Sequence, residues 1–158
     1  MAKMIELDDR DWAILGLIQH DASLSLQAIA DKVGLSANPC WRRIKRMEEA
    51  GVIAQRVALL DPAKVGAGTC VFVAIHTRRH DAGWLEQFHE AIEAIEEIVE
   101  CHRMAGDIDY LLKIRTSDIG GYDRIYQRLI RRVPDIADVT ASFSMEEMKA
   151  TTALPQPV

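Results

Sequence analysis

The chain has 158 residues, of which 49% are apolar and 27% charged, and its formal net charge is -5. That length holds one ordinary domain or two small ones with a real core, and the composition excludes a disordered chain. No apolar run approaches the roughly 18 residues of a membrane span, and the opening MAKMIELDDRD carries no apolar leader. Cys40, Cys70 and Cys101 are odd in number and lack CxxC spacing, which fits a reducing cytoplasm better than disulfides or a zinc site.

Asp8 is placed to cap a first helix whose opening turn, Asp9-Arg10-Asp11, suits the positive end of the helix dipole. Trp12, Ile14, Leu15 and Ile18 form its apolar side. After the break HDASLS, Ser25 caps LQAIADKV, with Leu26, Ile29, Ala30 and Val33 on one face and Gly34 as its stop. Only Leu35 separates Gly34 from the next cap, Ser36, which opens a third helix ended by Gly51. Two helices joined by so short a turn make a helix-turn-helix. VIAQRVALLD then reads as an extended linker strand, and Pro62 with the Gly66–Gly68 stretch marks a boundary.

The rest alternates strand and helix. TCVFVAIHT is an apolar strand, and DAGWLEQFHEAIEAI is a helix with Trp84 or Leu85, Phe88, Ile92 and Ile95 inward. EIVECHRMAG and IDYLLKIRT are strands about a tight turn at AGD. IGGYDRIYQRLIRRV is a helix begun by Asp118, with Ile125, Leu129 and Ile130 apolar, and IADVTASFSMEEM is a last strand. The expected class is α+β: a winged helix-turn-helix over 1–60, then a ferredoxin-like βαββαβ domain over 66–158.

Charge divides along the same line. Residues 1–60 hold eight Lys or Arg and eight Asp or Glu, whereas 61–158 hold 11 and 16. Against that acidic whole, Arg42, Arg43, Lys45 and Arg46 fall within five residues of the third helix. At 100° per residue, Cys40, Ile44 and Met47 face the core, while Asn38, Arg42, Lys45 and Glu49 point away. Trp41 and Arg46 flank the outer face. Arg43 lies nearer the core edge, within reach of an acid on the first helix. A DNA major groove admits one such helix, and its N-terminal residues approach base edges. Arg42 suits guanine, Asn38 suits adenine, and first-turn N–H groups suit phosphate; Pro39 in the first turn removes no intrahelical bond. Ser36, Asn38, Pro39, Trp41, Arg42, Arg43, Lys45 and Arg46 are therefore the candidate DNA-binding residues. Trp41 has two further roles open to it, against the wing or against a partner subunit.

LSANPCWRRIKRMEEAGVI resembles the recognition helix and wing start of the Lrp/AsnC, or feast/famine, transcriptional regulators, through Ser36, Arg43, Met47-Glu48 and Gly51-Val52-Ile53. GDIDY, Gly106 to Tyr110, resembles the family's Gly-Asp-x-Asp-aromatic turn. The resemblance spans nearly the whole chain. It implies dimers made through the sheets, joined into tetramers or octamers, and a small effector, usually an amino acid, held between dimers near that turn. Carried over, the effector residues are Gly106, Asp107, Asp109 and Tyr110, with Thr140, Ser142 or Ser144 added from the last strand. The turn's carboxylates and free N–H groups match the two charges of a zwitterion. One departure stands out. Many members carry Thr-Ser before the residue matching Phe143, and this chain has Ala141-Ser142.

The expected function is a sequence-specific DNA-binding transcriptional regulator responding to an amino acid or related metabolite. Its partners are double-stranded DNA and copies of itself, with no membrane, cofactor or metal. The alternative is a chromosome-organising DNA-binding protein that needs no effector. An enzyme is disfavoured. HExxH, GxSxG and phosphate-loop patterns do not occur, and Cys101 and His102 are adjacent on a strand and so face opposite sides.

Overall fold

The structure is a computed structural model that describes residues 5–157. The first four residues of the N-terminal region lie outside them. The chain divides into two compact units, residues 1–59 together with 149–158, and residues 60–148.

The first unit holds α1 (Asp9–Ile18), α2 (Leu26–Val33) and α3 (Ala37–Glu49). Its core is a small cluster of Ile14, Ile18, Ile29, Ala30, Val33, Cys40, Ile44 and Met47, so each helix sends in the face its periodicity predicts, except that Trp12 of α1 stays outside the cluster. Asp8 begins α1 through a capping box: its carboxylate accepts from the Asp11 N–H at 2.9 Å, and the Asp8 N–H donates to the Asp11 carboxylate at 3.2 Å. Ser25 accepts from the Ala28 N–H at 3.2 Å to begin α2. Gly34 ends α2 with φ 67°, and a Cβ there would lie 3.2 Å from the Arg10 guanidinium. That guanidinium donates to the Val33 carbonyl, tying the start of α1 to the end of α2.

Three expectations for this region are corrected. The expected linker strand is not formed within this chain: residues 54–60 pair with no strand among the described residues, and Val57, Leu59 and Leu60 are exposed. A strand takes its hydrogen bonds from a neighbour, and branched residues alone do not supply one. The domain limits also differ, since residues 149–158 group with the helix-turn-helix. The side-chain amide of Gln19 there donates to the Leu154 carbonyl at 3.0 Å and accepts from the Leu154 N–H at 2.8 Å. The third concerns Ser36, described with the interface below.

The second unit runs β1 (Thr69–Thr77), α4 (Ala82–Glu93), β2 (Ile98–Arg103), β3 (Tyr110–Thr116), α5 (Ile119–Arg132), β4 (Ile136–Phe143). The antiparallel sheet has the order β2-β3-β1-β4, the ferredoxin-like βαββαβ arrangement. Val71, Val73 and Ile75 of β1 join Tyr110, Leu112 and Ile114 of β3 beneath Trp84, Phe88, Ala91 and Ile92 of α4 and Ile125 and Leu129 of α5. Trp84, not Leu85, takes the inward position, and Ile130 of the predicted stripe is exposed. The opposite sheet face carries Phe72, Leu111, Lys113, Thr140 and Ser142, and among the described residues neither helix of this unit packs on it. Among the described residues no helix is long and apolar enough to cross a membrane.

Candidate nucleic-acid interface

Serine at position 36 begins α3 with extended backbone, yet its side chain makes no capping hydrogen bond. The reason lies three residues on. Asp8 and Ser25 each accept from the N–H at the third helical position, and here that position is Pro39, which has no N–H. The Ser36 hydroxyl and the Asn38 amide therefore stand exposed at the tip of the helix without a partner among the described residues.

The four cations of α3 have different surroundings. Arg43 Nη1 donates to Asp8 Oδ2 at 2.7 Å and to Asp11 Oδ1 at 2.8 Å. Arg46 Nη2 donates to the other oxygen of Asp11. Asp11 is fully buried at 0% exposure, while the Arg43 and Arg46 side chains remain 29% and 48% exposed. The wheel allows for one arginine reaching back to the first helix; the structure has two. Arg43 is held protonated by Asp11 first and Asp8 second. The Asp8 carboxyl lies below its usual range because the Asp11 N–H, and then Arg43, favour its charged form. Lys45 has only a long contact of 3.9 Å with Glu49, between two exposed side chains. Arg42 has no ion pair among the described residues. Trp41 is half exposed beside it. Arg42, Arg43, Arg46, Pro39 and Asp8 line one open hollow of about 330 Å³.

Sequence reasoning omitted Asp8 and Asp11 from this site. The signal was present in the acidic first turn of α1, which a helix-dipole argument explains without any need for α3.

The effector residues are less well gathered. In the β2–β3 connection, 104–109, Asp107 is exposed. Asp109 is bound into the framework: its carboxylate accepts from the Thr77 N–H at 2.8 Å and its own N–H donates to the Ile75 carbonyl at 3.0 Å. Tyr110 is buried, with ring centroids 4.4 Å from Phe88 and 5.9 Å from Trp84, and burial pushes its hydroxyl pKa up. Its ring is thus first of all a core group, because the inward face of β3 begins at that residue. Thr140 and Ser142 pair with Ala74 and Phe72 on edge strand β4, with β1 and β3 between them and β2. Ser144 lies past the end of β4, where its N–H donates to the Cys70 carbonyl. One chain does not bring these three together with the turn. A hollow of about 460 Å³ lies between α4 and β2 instead, and Phe88, Ile92, Val99, Glu100, Arg103 and Tyr110 are among its walls.

Residues 7–54 match the winged helix-turn-helix DNA-binding family, and residues 70–154 match the Lrp/AsnC ligand binding domain. The chain belongs to the Lrp/AsnC family. It is 50% identical over 152 residues to the glutamate uptake regulatory protein of Zymomonas mobilis, covering 96% of this chain and 92% of that one. An AsnC family transcriptional regulator from Agrobacterium tumefaciens superposes with a TM-score of 0.91 at 49% identity, covering 94% and 97%. A Neisseria meningitidis transcriptional regulator, solved as its L-Met complex, superposes with a TM-score of 0.89 at 31% identity, covering 95% and 97%. This Lrp/AsnC member is accordingly a DNA-binding transcriptional regulator, and the expected fold is the observed one.

Proposed function

We propose that α3 reads DNA through Arg42, Asn38 and Ser36, with Lys45 and Trp41 beside them on its outer surface, and that the ferredoxin-like unit governs this binding by holding an amino acid. The observation that carries the reading is Arg42: on α3, within the residues that match the winged helix-turn-helix DNA-binding family, it is the exposed arginine that no carboxylate among the described residues engages. Its five donors suit the paired acceptors of guanine. The chain acts by binding, with no catalytic step, in the cytoplasm. The uncovered sheet face, with exposed Phe72 at its middle, supports pairing of two copies there, and the dimers assemble further.

The Neisseria regulator's complex with L-Met supports an amino-acid effector. So does the hollow between α4 and β2, where apolar walls and the Arg103 cation suit an amino acid's side chain and carboxylate. Asp107, at the exposed turn near by in sequence, is the acid free to meet an ammonium group.

The test begins with duplexes selected by the protein from a random-sequence pool. Arg42→Ala is expected to weaken binding to them by about 1–3 kcal/mol and to relax choice at one base position. Unchanged affinity and footprint would refute the reading. For the effector, the twenty amino acids are screened by thermal shift in the presence of that DNA. Stabilisation rising with the logarithm of ligand concentration is expected, and Asp107→Ala should blunt it. No response to any of the twenty would favour an architectural protein that organises DNA without an effector.

A further inference from the structure

Asp11 is the only charged side chain among the described residues that is fully buried, and it is reached by three donors: the Arg43 guanidinium, the Arg46 guanidinium and the Asp8 N–H. Stability alone is a weak reason for such a group, because an apolar side chain of similar volume often serves a core as well or better. What the carboxylate does for α3 is more specific. With Asp8 it matches the charges of Arg43 and Arg46 one for one, and it fixes where both guanidinium groups lie. Each arginine has five N–H donors and spends only part of them on the acids, so the remainder stay available on the rim of the hollow shared with Arg42 and Pro39.

We propose that Asp11 is a positioning residue for DNA recognition: it converts Arg43 and Arg46 from mobile cations into fixed, charge-balanced donors that seat one backbone phosphate beside Pro39 and so set the register of Arg42. The inference rests on the reading of α3 as the DNA-contacting helix. Attraction to any duplex scales with net positive charge, whereas selection among duplexes needs directed donors and a fixed helix position. A buried acid that balances two arginines suppresses the first and promotes the second. Long arginine side chains held in place before contact also lose less rotamer freedom on binding.

The experiment compares Asp11→Asn, Asp8→Asn and Arg42→Ala with the unaltered protein, on duplexes selected from a random pool and on mixed-sequence DNA, across a range of salt. Asparagine at position 8 still caps α1, so that variant retains its fold while losing one charge. For Asp11→Asn the affinity for selected duplex should fall about tenfold while that for mixed-sequence DNA rises. The salt dependence on mixed-sequence DNA should steepen by up to about 0.9 in logarithmic slope, the share of one phosphate. Asp8→Asn should move all three readouts the same way by less. A merely structural carboxylate would lower stability and leave the affinity ratio and the slope of the folded protein unmoved. If both variants keep them, the proposal is overturned; if Asp11→Asn does not fold, Asp8→Asn decides by the same readouts. Should Arg42→Ala lose affinity while the aspartate variants keep the ratio and slope, this inference alone fails. Should Arg42→Ala change nothing, the reading of α3 itself fails and the inference with it.

Discussion

Helices α2 and α3 stand next to each other in the chain, and each begins at a serine, but those starts are finished in opposite ways. α2 is closed at both ends: Ser25 accepts from the Ala28 N–H, and Leu35 donates to the Ala30 carbonyl at 2.9 Å beyond left-handed Gly34. α3 is left open at its start, because Pro39 removes the donor that Ser36 would cap. The helix that only supports spends its polar groups on itself. The helix proposed to meet DNA keeps them available, and it takes its stability from a buried stripe of Cys40, Ile44 and Met47 and from ion pairs with Asp8 and Asp11. Stability and recognition are thereby assigned to different faces of one helix.

That separation is broken most forcefully from the core side. Met47 is completely buried, and Met47→Ala should lower stability in urea unfolding by about 2–5 kcal/mol. DNA affinity per folded molecule should change little. A variant of unchanged stability but altered footprint would show that the two faces are not separate. Ser25→Ala sharpens the contrast at the next level, with an expected loss of about 1 kcal/mol of stability and no effect on base choice. A shifted footprint there would mean that α2 does more than support.

The same contrast explains which parts of the molecule are legible in the sequence. The three helices of the first unit were readable because Asp8, Ser25, Gly34 and Gly51 punctuate them and the apolar spacing supplies their inward faces. In the second unit β1 and β3 were readable as apolar runs, and the structure adds which residues of each are buried. Cases that depend on a partner distant in sequence were missed. A helical wheel gives the direction of Arg46 but not its reach to Asp11, 35 residues away. Residues 54–60 have strand-like composition and no strand among the described residues to pair with. The pairing of Gln19 with the Leu154 backbone leaves no periodic trace. Tyr110, carried over from its motif to a ligand, is also the first inward residue of β3, so its ring serves the core as well as the wall of the hollow beside α4. Ser36 differs from these, since its missing donor was visible in the sequence as Pro39.

That last point permits the finest test, in which the expected effect on stability is nearly nil. Ser36→Ala should change stability by no more than a few tenths of a kcal/mol, against about 1 for Ser25→Ala, because no capping bond is lost. Pro39→Ala restores an N–H at the third helical position. In that background Ser36 has a donor to cap, and removing its hydroxyl should then cost about 1 kcal/mol. The two substitutions are therefore coupled, and the coupling, measured as a double-mutant cycle by urea unfolding, should be about 1 kcal/mol in size. DNA binding should run the other way. A Ser36 hydroxyl engaged in capping is no longer free, so Pro39→Ala should weaken binding to selected duplex, and adding Ser36→Ala to it should weaken binding no further. Additive effects on stability would mean that Ser36 is idle for a reason other than Pro39, and would remove the physical basis for calling the start of α3 deliberately open.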